Sequence, residues 1–198
     1  MTEMSFWQVV KADLAATTHE NYRTHYSPTR FWLRAVAKFV TSPAVRVVFL
    51  YRIAHVLAKH RMLPIALLLR QWGINSAGAE LNPLATVGPG LYLPHSIGAG
   101  VGPWVKIGAN CTLQAGAVIG PQPFAGDRGK PKFTVLGDDV YVGLHAVIIG
   151  GVTVGDGAVI GANAVVVRDV EPHAVISASP GRAVGTRPKG DGPLDRRR

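Results

Sequence analysis

The chain has 198 residues, of which 47% are hydrophobic and 17% charged, a composition that supports a large core and excludes bulk disorder. The length fits one ordinary domain, or a small helical module joined to a larger one. Most of the net charge of +9 lies in residues 1–75, which carry ten Lys/Arg against three Asp/Glu, a net +7. Because this segment is apolar and has no motif that would bind a groove of DNA or RNA, we exclude nucleic acid as a partner.

The single cysteine, Cys111, excludes an intrachain disulfide framework and fits a reducing cytoplasm. We find no signal-peptide pattern in the sequence.

Residues 1–75 have a helical pattern. Ser5 is a candidate N-cap, and proline marks the start of two later helices. The predicted helices run from about 5 to 16, from 29 or 30 onward, from 43 to 60, and from 64 to about 72. This basic, apolar region is a candidate for peripheral membrane contact. We favour helix packing within an oligomer, because no run approaches the about 18 uninterrupted apolar residues of a membrane span.

After residue 75 an aliphatic residue recurs at every sixth position. The aliphatic series is Leu81, Val87, Leu93, then Val101, Ile107, Leu113, Ile119, then Leu136, Val142, Ile148, Val154, Ile160, Val166. A second apolar residue follows four positions later, as at Ile97, Cys111 and Ala146. Each six-residue repeat predicts one short strand and one corner of a parallel β-helix, with the aliphatic side chain pointing into the core. We therefore interpret Cys111 as a buried, inert side chain rather than a nucleophile.

Two irregularities break this register. The spacing from Leu93 to Val101 is eight residues, and the spacing from Ile119 to Leu136 is seventeen. The longer gap predicts an extruded loop over 121–134, and solenoids place functional insertions on one face. The predicted organisation is a helical region over 1–75, a β-helix domain over 76–185 and a flexible basic tail over 186–198.

The solenoid has a distinctive ending, Ile160-Gly-Ala-Asn-Ala-Val-Val-Val-Arg-Asp-Val170 and then Ser179-Pro-Gly-Arg182. With the six-residue repeat, this ending resembles the left-handed β-helix (hexapeptide-repeat) acyltransferases. Three other segments are similar to the serine O-acetyltransferase branch, which includes acetyltransferases of exopolysaccharide biosynthesis: Tyr51-Arg-Ile-Ala-His55, Gly78-Ala-Glu-Leu-Asn-Pro83 and Leu93-Pro-His95. The resemblance implies a left-handed coil, a homotrimer with active sites between subunits, acetyl-CoA along the groove, and no metal.

The resemblance also implies catalytic groups. His95 matches the family's catalytic histidine, which takes the acceptor's hydroxyl proton while the oxygen attacks the thioester. Glu80 stands where the family carries an acidic partner of the imidazole, usually aspartate; a solvated, uninvolved Glu80 is the alternative. Asn82 replaces a histidine common in the serine enzymes. His145 lies where many relatives carry a histidine without catalytic duty, so we expect a structural or groove-lining role.

Four further positions are implied to bind CoA. Leu144 and Ala162 would offer backbone groups to the pantetheine arm. Arg168 and Arg182 would meet the CoA phosphates, because guanidinium groups suit phosphate geometry.

The acceptor is indicated by departures from the serine enzymes. Those enzymes place an aspartate directly before the catalytic histidine, where this chain has Pro94. Their loop reads Gly-Asp-Arg-His-Pro-Lys, and this one reads Gly126-Asp-Arg-Gly-Lys-Pro-Lys132. Asp127 and Arg128 match the loop of the serine enzymes and are implied to contact the acceptor. The histidine of that loop is absent from this chain. Lys130 could bind a carboxylate instead if the loop shifts. We therefore expect an O-acetyltransferase acting on a sugar or another biosynthetic hydroxyl, with serine O-acetyltransferase of cysteine biosynthesis as the alternative.

Two other classes of function stay open. A carbonic-anhydrase-type enzyme would need three histidines converging on zinc, and neither His95 nor His145 has a close second histidine in the sequence. A non-catalytic trimeric scaffold would show no turnover.

Overall fold

The computed structural model describes residues 4–17, 28–121 and 132–181. Within these ranges the chain forms four helices followed by short strands. The helices are α1 (Phe6–Ala16), α2 (Pro28–Thr41), α3 (Pro43–Lys59) and α4 (Leu63–Ala77). The strands are β1 (Glu80–Leu81), β2 (Thr86–Val87), β3 (Gly100–Val101), β4 (Val105–Ile107), β5 (Thr112–Leu113), β6 (Val118–Ile119), β7 (Thr134–Leu136), β8 (Tyr141–Val142), β9 (Val147–Ile148), β10 (Thr153–Val154), β11 (Val159–Ile160), β12 (Val165–Val166) and β13 (Val175–Ile176).

The ends of the helices follow local capping chemistry. Ser5 caps α1 through a capping box with Gln8, as the sequence predicts. Ser42 caps α3, and proline occupies its first turn. Helix α4 continues to Ala77, so the expected end near Trp72 is wrong. It stops where Gly78 adopts a left-handed conformation (φ 65°), which glycine takes at little cost.

Every strand pairing is parallel, and the chain visits three sheets in turn. Sheet A has the order β1-β3-β6-β9-β12, sheet B has β2-β4-β7-β10, and sheet C has β5-β8-β11-β13. The fold is therefore a left-handed parallel β-helix preceded by a helical region, which confirms the predicted fold class.

The core consists of the repeating aliphatic residues, and the whole series from Leu81 to Val166 is buried. Ile97 departs from its expected inward slot, because its side chain is 76% exposed. The eight-residue spacing adds two residues to this corner, so Ala99 fills the slot and is 2% exposed. The expectation that Ile97 faces the core is wrong for this reason.

The corners between strands stack into three edges of a prism, and two of them matter for function. Corners leading from sheet C to sheet A form the histidine edge, at 94–99, 114–117, 143–146 and 161–164. Corners leading from sheet A to sheet B form the loop edge, at 82–85, 102–104, 120–121 with 132–133, 149–152 and 167–169. The outer face of sheet A separates the two edges.

Helices α1 and α3 cover the N-terminal end of the β-helix, which is formed by the first coil. The Tyr51 hydroxyl donates a hydrogen bond to the carbonyl of Ala85 (2.8 Å), and burial raises the pKa of Tyr51, which keeps it a donor. The ring Nδ1 of His55 lies 2.9 Å from the carbonyl of Pro83. These side chains satisfy coil carbonyls that have no strand beside them.

A buried ion pair ties the same helices together. Arg52 binds the two carboxylate oxygens of Asp13 through Nε (2.8 Å) and Nη2 (2.9 Å), and it also donates to the carbonyls of residues 87–88. The Asp13 carboxylate accepts from the backbone N–H groups of residues 90–91, at 2.9 and 3.1 Å. Both side chains are less than a tenth exposed. One acid and one base thus join α1, α3 and the first coil.

Among the described residues, no single helix is both long and apolar enough to cross a bilayer. Ala35–Thr41 and Pro43–Lys59 reach that length and composition only together, and they meet at an angle of 107°.

Candidate active site

His95 occupies the enlarged corner of the histidine edge. Its neighbours fix the corner: Leu93 is buried, the Ser96 hydroxyl donates to the carbonyl of Ala77 (2.8 Å), and the N–H of Gly98 donates to the carbonyl of Gly78 (2.7 Å). The His95 side chain is exposed, and no described residue makes a hydrogen bond with it. The corner therefore presents an imidazole on an anchored backbone, free to meet a ligand.

Glu80 lies on β1, on the outer face of sheet A, where it pairs in register with Gly100. Its carboxylate forms an ion pair with Arg70 of α4, and Arg70 Nε donates to Oε1 at 3.2 Å. Within the described ranges no hydrogen bond joins Glu80 to His95. Sequence reasoning missed Arg70, because helix α4 was expected to contribute only packing. The role of Glu80 as partner of the imidazole stays a prediction.

The higher coils of the histidine edge carry the residues predicted to meet the pantetheine arm. Leu144 and Ala162 are exposed one coil apart, and the N–H of Asn163 donates to the carbonyl of Leu144 (2.8 Å). Among the described residues, no hydrogen bond uses the N–H of Leu144 or of Ala162. The edge thus offers two free donors above His95.

His145 lies on the same edge, in a left-handed conformation (φ 54°). Its ring packs over Gly116, where a Cβ atom would overlap the imidazole. Gly116 itself has a φ of 69°, so an added side chain would also be strained. The His145 ring thus packs against the corner one coil below it, and its structural or groove-lining role stays a prediction.

The predicted loop leaves and rejoins the β-helix at the loop edge. Thr134 is fully buried at its end, where its hydroxyl donates to the carbonyl of Gly120 (2.8 Å) and its N–H to the carbonyl of Trp104 (3.3 Å). Arg168 is exposed on this same edge, away from Leu144. Asp127, Arg128, Lys130 and Arg182 lie outside the described residues.

Cys111 is fully buried, and its Sγ donates to the carbonyl of Gly137 (3.2 Å). Burial raises the pKa of its thiol to about 11, so the thiolate is scarce at neutral pH. Within the described ranges no three His, Cys, Asp or Glu residues converge as metal ligands would.

Two family patterns match the β-helix. Bacterial transferase hexapeptide (six repeats) matches residues 133–168, and Hexapeptide repeat of succinyl-transferase matches 96–121. A serine acetyltransferase of Helicobacter pylori is 36% identical over 128 residues, covering 65% of this chain and 73% of the relative. One from Bacillus pumilus is 33% identical over 145 residues, covering 73% of this chain and 65% of the relative. The chain thus spans about two thirds of the relatives' length, 65% and 66% for those of Bacillus pumilus and Mycobacterium tuberculosis.

Solved structures show the same architecture. The soybean serine acetyltransferase apoenzyme superposes with a TM-score of 0.72 at 27% identity, covering 90% of this chain and 68% of that one. The Entamoeba histolytica serine acetyltransferase isoform 3, solved in complex with cysteine, gives a TM-score of 0.76 at 21% identity, covering 92% of this chain and 61% of that one, and this likeness concerns the fold alone. The relatives' names fit serine, the alternative acceptor, better than the expected sugar.

Proposed function

Because this chain belongs to the serine acetyltransferase family of hexapeptide-repeat acyltransferases, we propose that it is an acetyl-CoA-dependent O-acetyltransferase. The acetyl group would move from the sulfur of CoA to a hydroxyl of a small acceptor. The observation that carries the proposal is the exposed, unpaired imidazole of His95, on one edge with the free N–H groups of Leu144 and Ala162.

The chemistry needs a base, and we assign this role to His95. Its imidazole would take the hydroxyl proton as the acceptor oxygen attacks the thioester carbonyl, giving a tetrahedral intermediate. When the carbon–sulfur bond breaks, the imidazolium would return that proton to the sulfur of CoA. Imidazole suits both steps, because the same ring nitrogen can accept a proton and then donate it. The acetyl ester and free CoA are the products.

We assign Glu80 a positioning role. Its carboxylate, held by Arg70, would orient the His95 ring and stabilise the imidazolium in the bound complex. Arg70 would in turn hold the Glu80 carboxylate in place. If Glu80 plays this part, Glu80→Gln should slow turnover less than the loss of His95 does.

A trimer is part of the proposal, because the predicted site residues lie on two different edges. His95, Leu144 and Ala162 are on the histidine edge, whereas Arg168 and the ends of the loop are on the loop edge. One prism cannot bring its own two edges together, but the histidine edge of one copy can face the loop edge of the next. Beyond Glu80 on β1, the outer face of sheet A between the two edges is apolar, which suits a subunit contact. It carries Gly100, Val118, Val147 and Val165. Acetyl-CoA would then lie in the groove between copies, with its phosphates near Arg168.

Two acceptors compete. The names of the relatives favour L-serine. A sugar or another larger hydroxyl is favoured by Pro94, directly before His95. The proline side chain has neither a negative charge nor a hydrogen-bond acceptor with which to hold the ammonium group of serine. Each lost charge-assisted contact costs about 1.5–3 kcal/mol, so this difference alone would weaken serine selectivity by about tenfold or more.

The test is CoA release, followed with a thiol reagent, from acetyl-CoA plus L-serine or a panel of sugars and hydroxylated metabolites. Acetyl transfer that disappears in His95→Ala would support the proposal. Serine turnover at about 10⁴ per molar per second or better would assign serine as the acceptor. CoA binding without turnover of any acceptor would refute the enzyme and favour the scaffold.

A further inference from the structure

Trp104 is an outlier on the loop edge. Its backbone adopts a left-handed conformation (φ 55°), which is unfavourable for a bulky residue. Within the described ranges, the other non-glycine residues with positive φ are arginine, asparagine, aspartate and histidine. The Trp104 ring is nevertheless 41% exposed, so burial of the ring does not fully account for tryptophan at this corner. Residues held in such conformations cluster at ligand-binding sites.

A second aromatic residue lies one coil away from Trp104, and a lysine follows Trp104 by two positions on β4. The N–H of Thr134 donates to the carbonyl of Trp104, which places Phe133 one coil above it on the same edge. The Phe133 ring is also 41% exposed, and the Lys106 ammonium lies 4.8 Å from its centroid. No carboxylate in the described part of the chain forms an ion pair with Lys106. Thr134, which is buried beside Phe133, anchors the backbone of this group through its hydrogen bonds to Trp104 and Gly120.

We propose that Trp104, Phe133 and Lys106 form an acceptor subsite for a hexose that carries a carboxylate or a phosphate. The C–H faces of a sugar ring pack against aromatic rings, and the ammonium of Lys106, which no carboxylate of the described residues neutralises, complements an anionic substituent. Sugars with either anion share this chemistry. The inference rests on the proposed acetyl transfer and assigns its acceptor class.

The subsite lies at the height of the catalytic histidine. The corner that carries His95 leads into β3, and the corner that carries Trp104 follows β3 directly. Both therefore belong to one coil, at opposite borders of sheet A. In a trimer of parallel prisms, Trp104 of one copy lies level with His95 of the next. A hexose on the aromatic rings would then turn a hydroxyl toward a neighbouring imidazole.

The test compares Trp104→Asn with Tyr141→Thr. Asparagine already occupies two left-handed corners of this chain, at 110 and 163, so the variant keeps the corner and removes the ring. Tyr141 is an exposed aromatic residue on sheet C, and its register neighbour on β5 is Thr112, which makes Tyr141→Thr a matched control.

The probes are D-glucuronate, D-glucose 6-phosphate and D-glucose as acceptors. We expect Trp104→Asn to raise KM for an anionic hexose by about tenfold, as the loss of an aromatic contact predicts. KM for acetyl-CoA and the thermal stability should stay at wild-type values, and Tyr141→Thr should behave as wild type. Lys106→Gln should raise KM for the anionic hexoses and leave that for D-glucose unchanged.

Several outcomes would overturn the subsite. An unchanged KM for the anionic hexoses in Trp104→Asn would refute the subsite, as would turnover of serine but of no hexose. Neither outcome would contradict the proposed acetyl transfer. A change in oligomeric mass in Trp104→Asn would make the ring a subunit contact instead. If wild-type protein acetylates nothing, the proposed function fails, and saturation-transfer NMR with D-glucuronate tests the subsite separately. An equal saturation-transfer signal of D-glucuronate with wild-type protein and with Trp104→Asn would then refute the subsite.

Discussion

Replacing Asp13 with alanine should destabilise the protein by about 3–5 kcal/mol, the usual cost of breaking a buried ion pair. The variant leaves the Arg52 guanidinium buried without its bidentate carboxylate. It also removes the acceptor for the backbone N–H groups of residues 90–91. An uncompensated buried donor costs about 1–3 kcal/mol, so the upper part of the range is expected.

A double-mutant cycle separates the pair from its surroundings. Arg52→Met alone leaves a buried carboxylate, whereas Asp13→Ala with Arg52→Met removes both charges. The double variant should therefore lose less than the sum of the single variants, by about 1.5 kcal/mol or more. Glu80→Gln is the control, because the Arg70–Glu80 pair is 27% and 45% exposed. That change should cost less than about 1 kcal/mol.

The assay is urea unfolding followed by circular dichroism, at one fixed protein concentration because assembly contributes to apparent stability. The reasoning fails if Asp13→Ala unfolds within about 1 kcal/mol of wild type. It also fails if the two single changes are additive, since contacting charges should be coupled.

Four further predictions follow. His95→Ala should lower turnover by about a hundredfold or more while CoA affinity, measured by calorimetry, is kept; wild-type turnover would exclude His95 as the base. Arg168→Ala should weaken acetyl-CoA binding more at low salt than at high salt, and an equal affinity at both would argue against a phosphate contact. Burial lowers the pKa of His55, so stability should fall as pH drops through about 6.5 toward the lower folded value, and His55→Gln should flatten this slope in urea titrations. Cys111 should react slowly with a thiol reagent in native protein and quickly in urea, and fast native labelling would contradict its raised pKa.

The solenoid could be predicted from the sequence because its period is strict. Each aliphatic residue of the series faces the core, and the gap before Leu136 coincides with an insertion at one edge. The predicted start of α1 at Ser5 is confirmed for a local reason, since a capping box involves only four adjacent residues. Features that depend on neighbouring residues can therefore be predicted from the sequence.

Features that depend on distant contacts were not predicted. The pairing of Glu80 with Arg70 joins strand β1 to helix α4, which extends five residues beyond its expected end near residue 72. The exposure of Ile97 depends on which two residues an eight-residue corner extrudes, and spacing alone does not decide that. The sequence does not predict the group formed by Trp104, Phe133 and Lys106, because Phe133 is 29 residues after Trp104 and only the coiling of the chain brings their backbones to the same edge. A cytoplasmic location also stays a prediction, resting on one cysteine.

The helices over the first coil also limit how this protein can polymerise. A bare end of a parallel β-helix is a row of unpaired N–H and C=O groups, a template on which another chain could add strands without limit. Here Asp13, Tyr51 and Arg52 already occupy such groups. Growth into fibres from that end is blocked, and association is directed to the sides of the prism, where rotational symmetry can close a ring.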